Sequence, residues 1–454
     1  MANVVTSPAR LPARPLAAAR KKFLVAVLVA LAWTLFSVWV SDKWRDELGA
    51  AIHPLFAILA ITFIAYVPGF MNAFLVASLL LDRRQRSPQR ASYPGVTVLI
   101  AAYQEAGAIA DTIESIALGD YPGEVEVLVL SDGSTDGTVE CAEQAIGRLS
   151  LRAGYTMRVL AFTANRGKAV VLNEGLAKAR HELIVTVDGD SRLRSNALRA
   201  IVGRLLSAPE NTMAVAGSVL ARNGRENLIT GAQEWDYFHG IAAVKRMQSM
   251  YHGALVAQGA FSIYRRRALV AVGGWPDCVG EDIVLTWAML KRGYLVGYAE
   301  DALVFTNVPT TYRQFSLQRK RWSRGLIEAL DHHEGLLFKR RLSTLFIWWN
   351  LLFLPLDLIY TVIFIPGVLA AVFLHNFSIA GPMTLAVLPL AALWNALIYR
   401  IQTRTLRREG VELKHNWAGL GVYLLAYTVL MQPVCVWGYA SEVFGLAKKW
   451  GTKR

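Results

Sequence analysis

Leu183-Ile184-Val185-Thr186-Val187-Asp188-Gly189-Asp190 is an apolar, β-type run that ends in two carboxylates flanking a glycine. A strand buried in a sheet cannot hold unpaired carboxylates, which places Asp188 and Asp190 at its exposed C-terminal end. In open α/β sheets that edge is where ligands bind. Two acids one residue apart can share a divalent cation and a polar ligand. A hard cation held by one or two carboxylates, with phosphates completing its shell, is the usual arrangement for Mg2+. Asp-Gly-Asp also makes ordinary turns, so the pair needs support from elsewhere in the chain.

That support comes from the segments around it. From Tyr93 to about Lys339 the pattern is strand–helix–strand: a buried strand over Val96–Ala102, a helix over Ile109–Ala117, and a second strand over Val125–Leu130 ending at Ser131-Asp132-Gly133-Ser134-Thr135-Asp136. A helix through Ala142 and Ile146, a strand at Arg158–Ala161 and a helix over Ala169–Ala179 precede the Asp188 strand. Such alternation predicts an α/β domain with a mostly parallel, doubly wound sheet. Acids therefore end two strands, Asp132 one of them and Asp188 with Asp190 the other. Asn165-Arg166-Gly167-Lys168 adds a glycine and a lysine at a helix N-terminus, a combination that favours an anionic group.

The 454 residues exceed one such domain. Hydrophobic residues are 54% of the chain and the mean hydropathy is +0.34, too apolar for an ordinary soluble enzyme. The excess lies at the two ends. A net charge of +14 would suggest nucleic acid in a soluble protein, but here much of the Lys and Arg flanks apolar segments. A membrane surface explains it better, and no nucleic-acid partner is expected. Cys141, Cys278 and Cys435 lie far apart without metal-ligand spacing and read as free thiols in a reducing compartment.

Phe23–Val40 is an uncharged run of 18 residues, about 27 Å long as a helix and long for a cleaved signal peptide. Leu55–Leu81 reads as a second span with a kink at Pro68-Gly69. Arg10, Arg14, Arg20, Lys21 and Lys22 precede the first span, and Arg83, Arg84, Arg86 and Arg90 follow the second. Positive-inside logic puts the N-terminus and the central domain in the cytoplasm. The chain thus divides into a tail (1–22), two spans (23–92), the α/β domain (93–340) and C-terminal interfacial and transmembrane helices with a basic tail (341–454). In the last part, Leu342–Leu374 exceeds one straight span and is expected to begin as an interfacial helix. Met383–Ile398 returns to a basic loop around Arg400, Arg404, Arg407 and Arg408, and Trp417–Phe444 is broken at Gln432-Pro433. Lys448, Lys449, Lys453 and Arg454 favour the cytoplasm although counting spans puts them outside. Either the last stretch turns back at Pro433 or the long segment contains a re-entrant piece.

In their order, these residues resemble the family 2 glycosyltransferases of the GT-A (Rossmann-like) fold. Val96–Glu105 is similar to that family's opening strand and "AYNE" turn, Leu130–Asp136 to its "DDGSTD", Asn165–Gly175 to its "NxGKAxALNxG" and Val187–Asp190 to its "DxD". Gln258–Phe261 with Tyr264-Arg265-Arg266 resembles "SGAFxxFRR", Gly280-Glu281-Asp282 the "(T/G)ED" motif, and Gln318-Arg319-Lys320-Arg321-Trp322 satisfies "Q(Q/R)xRW". The resemblance covers about residues 94–335. The last motif, with spans on both sides, points to the processive polysaccharide synthases of hyaluronan, cellulose, chitin oligosaccharide and poly-N-acetylglucosamine.

The resemblance implies roles residue by residue. Asp132 and Asp188 would contact the uridine, with Glu105 in the same nucleotide-side loops, and Lys168 the diphosphate. Asp190 would bind Mg2+ or Mn2+. Asp282 would be the general base and Glu281 would position it or the acceptor. Gln318, Arg321 and Trp322 would hold the donor diphosphate and the chain end, with Gly259 and Phe261 on the acceptor side. Ser131 departs from the first Asp of "DDG" and Gln104 from the Asn of "YNE", for which altered hydrogen bonding is expected. Arg319 and Lys320 also fit a solvated or lipid-facing run. Trp348, Trp349, Asn350, Asp357, Tyr360, Trp394 and Asn395 could line a glycan path, but intramembrane aromatics more often pack.

Transfer from a nucleotide sugar leaves a diphosphate that a divalent ion and nearby cations stabilise. A carboxylate must take the acceptor's proton, and one base without a protein nucleophile gives a single inverting displacement. The expected function is a metal-dependent, processive β-glycosyltransferase of a bacterial inner membrane. It would use a UDP-sugar, N-acetylglucosamine by architecture, to elongate and export a polysaccharide. The growing glycan and membrane lipids would be its partners, with accessory export or regulatory subunits left open. A ceramide or diacylglycerol glucosyltransferase, with a lipid acceptor, shares the Asp motifs and a related Arg-Trp motif. A non-enzymatic subunit is disfavoured by intact Asp190, Asp282 and Arg321.

Overall fold

The computed structural model describes residues 16–82, 92–411 and 416–447. Eight strands, β1 (Val96–Ala102), β2 (Val125–Asp132), β3 (Tyr155–Phe162), β4 (Leu183–Asp188), β5 (Ser191–Leu193), β6 (Thr212–Ala221), β7 (Phe261–Arg265) and β8 (Leu295–Thr306), form one sheet in the order β3-β2-β1-β4-β7-β6-β8-β5. The first four neighbours are parallel, as the strand–helix alternation predicts. β7 runs antiparallel to both β4 and β6, β8 is parallel to β6, and β5 is antiparallel to β8. The parallel register sets Ala101 level with Asp188 and Ala102 level with Ser131, so the C-terminal ends of β1, β2 and β4 share one edge.

Two strands run longer than the sequence pattern suggested. β2 continues through Ser131 and Asp132, which still pair with Ala161 and Phe162. β3 begins at Tyr155 rather than Arg158, because it is the outer strand and polar Thr156 and Arg158 alternate outward and blur its apolar signal.

Side-chain alternation along β1 divides the core. Val96, Val98 and Ile100 face the helices Ile109–Ala117 and Ala197–Ser207 through Ile113, Ile116, Ile201 and Leu205. Leu99 faces the other way, onto Leu172, Leu176 and Leu128, and that core continues without a break into Met247, Tyr251, Phe74 and Ala26. Burial of each such aliphatic side chain contributes roughly 1.5–3 kcal/mol. The sheet domain is thus fused to the apolar helices by a shared core. A buried ion pair adds to the join: Arg246 donates to Asp82 (2.9 Å), Thr405 (2.9 Å) and Gln402 (3.1 Å).

Among the described residues four helices are long and apolar enough to cross a membrane, Ala18–Val40, Pro54–Leu81, Leu342–Leu374 and Thr384–Arg408, and the bent pair Trp417–Leu425 with Tyr427–Val443 passes the same test together. Each of Pro68 and Pro366 follows a π-helical turn, Thr62–Tyr66 and Tyr360–Phe364. Proline removes an N–H that a helix needs. The carbonyl of Ile64, whose α-helical donor would be the missing N–H of Pro68, instead accepts from the Tyr360 hydroxyl at 3.0 Å. The long third helix begins against the sheet domain, with Ser343 and Phe346 buried beside Gly253 and Tyr251.

Two expectations for the C-terminal part are corrected. Arg400, Arg404, Arg407 and Arg408 lie on the helix Pro382–Arg408, not in a loop, because the helix outruns its apolar segment. Pro433 sits inside the helix Tyr427–Val443; the bend, 53°, falls at Ala426 instead. It adjoins Tyr427, whose hydroxyl is held by Arg319 and Asp236. Arg10, Arg14, Arg83, Arg84, Arg86, Arg90, Lys448, Lys449, Lys453 and Arg454 lie outside the described residues. Several intramembrane polar candidates are satisfied internally: Asp357 accepts from Tyr439 (2.8 Å), Asn395 pairs with His239 (2.8 Å), and Trp394 packs on Trp33.

Candidate active site

At the shared strand edge lies a cavity of about 700 Å3. Glu105, Lys168, Asp188 and Asp190 are among the residues that line its wall, as are Gly259, Glu281, Asp282, Gln318, Arg321 and Trp322. Ten of the twelve residues singled out in the sequence therefore meet in one space. Asp132 and Phe261 do not.

Asp132 is buried at 1% exposure, and its carboxylate accepts the backbone N–H groups of Arg166 (2.7 Å) and Gly167 (2.9 Å). It fixes the turn that starts the helix Lys168–Lys178 rather than facing the cavity. Phe261 is fully buried; its ring fills the core beside Gly217. Its position on β7 turns it inward while Gly259 and Ala260 meet the cavity. The departures at residues 104 and 131 also find an explanation. Gln104 adopts φ +57, and its side-chain amide exchanges two hydrogen bonds with Thr135, both 3.1 Å, tying the two loops together. Ser131 is buried in the ladder between Ala102 and Ala161.

Lys168 sits among carboxylates: its Nζ is 2.7 Å from Asp188 Oδ1 and 3.4 Å from Glu281 Oε1. Burial alone would lower the ammonium, but Asp188, Glu281 and Asp282 outweigh it and hold Lys168 well above its usual value. Glu281 moves up as well, through burial and the neighbouring Asp282 and Asp188 charges, against the pull of Lys168 and Arg321. Gly259 makes this crowding feasible, since a Cβ there would meet Lys168 Nζ at 2.5 Å.

Asp190 sits just past β4, where the pairing of Ser191 with Thr306 returns the chain to the sheet, and Thr306 Oγ1 donates to Asp190 Oδ1 at 3.0 Å. Among the described residues no three His, Cys, Asp or Glu side chains assemble into a closed cation cage. A hard carboxylate beside a roomy cavity instead fits Mg2+ or Mn2+, whose remaining ligands would come from the substrate and water.

Asp282 occupies the first turn of the helix Glu281–Lys291. Its Oδ1 accepts from Ile283 N (2.7 Å) and its Oδ2 lies 3.4 Å from Gly259 N. The preceding loop is clamped by Glu328, a buried carboxylate that accepts from Gly280 N (2.7 Å) and Val279 N (3.2 Å). Glu328 belongs to the helix Tyr312–His333, the same helix that presents Gln318, Arg321 and Trp322 at i, i+3 and i+4 to the cavity. The two helices touch through glycine: a Cβ on Gly325 would lie 2.8 Å from the Gly280 Cα. Gly325→Ala should therefore push the Asp282 turn away from Trp322 and lower stability by about 1–3 kcal/mol. Thermal unfolding in detergent, beside a turnover assay, checks this; unchanged values in both would rule out the close contact.

Arg319 corrects the reading of the basic run as solvated. It is 2% exposed and donates to Asp236 (2.9 Å) and the Tyr427 hydroxyl (2.7 Å). Its guanidinium carbon lies 4.0 Å over the ring of Trp322, which is 40% exposed. Gln318 Oε1 is buried with no protein partner, an orphaned acceptor of the kind that a ligand satisfies. Sequence reasoning missed Glu328, Thr306 and the role of Arg319. Glu328 carries no local motif, and Thr306 is an unremarked strand end.

The chain matches the family model "Glycosyltransferase like family 2" over residues 94–325. Relatives named poly-beta-1,6-N-acetyl-D-glucosamine synthase include one from Staphylococcus epidermidis, 28% identical over 279 residues, 59% of this chain and 66% of that protein. Another, from Staphylococcus aureus, is 29% identical over 237 residues, 52% of this chain and 55% of that protein. The chain thus spans a little under two thirds of the first and about half of the second. A mannosyltransferase from Pyrobaculum calidifontis, solved with GDP-Man and Mn2+, superposes with a TM-score of 0.59 at 20% identity, over 85% of this chain and 98% of that one. That likeness concerns the fold, which is GT-A. With just over half of its length matched to the family and the motif residues gathered at one sheet edge, the chain belongs to glycosyltransferase family 2.

Proposed function

We propose that the protein is a processive, inverting β-glycosyltransferase of a bacterial inner membrane, with its sheet domain in the cytoplasm. It takes UDP-N-acetylglucosamine as donor, elongates a polysaccharide and passes it across the membrane. The observation that carries this reading is the single cavity in which Asp190 and Lys168, suited to a diphosphate, face Asp282, Gln318 and Trp322, suited to a sugar acceptor. The relatives named poly-beta-1,6-N-acetyl-D-glucosamine synthase support the polymer and the sugar.

In this reading Asp282 accepts the proton of the acceptor hydroxyl as its oxygen bonds to the donor's anomeric carbon. The bond from that carbon to the diphosphate breaks, UDP leaves with the electron pair, and an α-linked donor yields a β-linked product. Lys168 and Arg321 hold the departing diphosphate. Trp322 supports a flat sugar face. A divalent ion at Asp190, Mg2+ or Mn2+, would neutralise charge on the diphosphate.

Incubation of the purified protein with radiolabelled UDP-sugars tests the proposal. Water-soluble polymer from UDP-N-acetylglucosamine is expected. Products one sugar long would exclude processivity, and organic-soluble label would indicate a lipid acceptor. Chelation with EDTA should cut UDP release by at least about 100-fold, with recovery in Mg2+ or Mn2+; full release in EDTA would remove the cation from the scheme.

A further inference from the structure

Lys245 has no place in the motifs and no place in the scheme above. It lies on the helix Val244–Met250 and lines the cavity together with Gln258, Gly259 and Asp282. Among the described residues no carboxylate is within ion-pair distance of it. Instead its Nζ donates to the Val256 carbonyl (3.1 Å) and to Gln258 Oε1. The Gln258 amide nitrogen donates in turn to the Gly217 carbonyl at 2.8 Å, which fixes the amide's orientation.

An ammonium has three N–H donors, and two are committed to these neutral oxygens. A half-buried cation with no carboxylate in ion-pair distance is costly to hold, and a methionine would fill the same space more cheaply. Burial accordingly lowers its pKa to about 7, against the opposing effect of the Asp282 carboxylate. What its protonated form supplies is a positive donor on the cavity wall it shares with Asp282.

We propose that Lys245 is an acceptor-binding residue: its third N–H bonds an oxygen of the terminal sugar, a hydroxyl or an acetamide carbonyl, and so sets that sugar against Asp282. The inference rests on the proposed glycosyl transfer and adds to it the residue that grips the acceptor. Both oxygens are neutral acceptors, for which a partly desolvated ammonium is a stronger donor than an amide.

The test uses the full chain in detergent, UDP-N-acetylglucosamine as donor and a β-linked N-acetylglucosamine trimer as acceptor. Lys245→Met should raise the trimer's KM at least tenfold while the dissociation constant for UDP changes less than twofold, and Lys245→Arg should recover part of the loss. An unchanged trimer KM overturns the assignment. So does a parallel loss of UDP affinity, which would make Lys245 a strut for residues 256–259. If Lys245→Met is not recovered folded, the unaltered protein decides. The trimer should slow acetylation of Lys245 by acetic anhydride at least fivefold, read by mass spectrometry, and UDP should not. Equal labelling with and without trimer overturns the inference. Absence of any transfer by the unaltered protein would instead sink the proposed function, so the two failures are distinct.

Discussion

Asp282→Asn lowers sugar transfer about 1,000-fold while leaving UDP affinity within about twofold. The amide keeps the size of the carboxylate and can still accept from Ile283 N, so the turn survives. What it loses is basicity. At neutral pH an asparagine cannot take the acceptor proton, and the attacking oxygen must then react as a neutral hydroxyl. UDP release with and without acceptor, beside UDP titration calorimetry, reads the two effects separately. Full turnover would transfer the base role elsewhere, with Glu281 the nearest carboxylate on the same helix turn. Glu281 suits that role poorly, because Lys168 is already within 3.4 Å of it.

The second large effect is expected at Lys168. Lys168→Met removes the ammonium that lies against both Asp188 and Glu281, and it leaves these acids to repel one another and an incoming diphosphate. A charge-assisted hydrogen bond of about 1.5–3 kcal/mol corresponds to a UDP affinity about 10–100-fold weaker. If the ammonium also meets charge developing on the leaving group, kcat/KM falls by about 100–1,000-fold. Lys168→Arg is expected to rescue little, since a planar guanidinium does not reproduce the compact ammonium set between Asp188 and Glu281. Calorimetry with UDP and initial rates against donor concentration check both numbers. Native UDP affinity in Lys168→Met would place the diphosphate away from this lysine.

Much of this site was legible because it is built from chain segments that carry their own signals. β1, β2 and β4 are apolar runs with polar ends, and a parallel register must gather such ends on one edge. The acids of β4, the lysine at the helix start and the Gln318–Trp322 face follow from local pattern. Asp132 shows the limit: a strand-end acid in a glycine turn looks the same in sequence whether it meets a ligand or two backbone N–H groups. Phe261 shows another, because only the register of β7 against β4 decides which way an aromatic turns. Glu328, Thr306 and Lys245 could not be read at all. Glu328 works through Gly280 and Val279, 48 and 49 positions away, Thr306 through Asp190, 116 away, and Lys245 through Val256 and Gln258, 11 and 13 away on another element, and no spacing rule encodes such distances. The bend at Ala426 belongs to the same class, since it adjoins a tertiary bond to Tyr427 while Pro433, the obvious breaker, stays inside a helix.

The stacking of Arg319 on Trp322 makes the indole a seat with one side already taken. The indole is 40% exposed, and in the proposed reaction a pyranose would meet the side that Arg319 leaves open. In the proposed synthase, a polymer lying on it would have equivalent resting positions one monomer apart, with less support at every intermediate offset. The spacing between stable stops would then be fixed by the monomer's own length, a ratchet-like discreteness that needs no moving part in the protein.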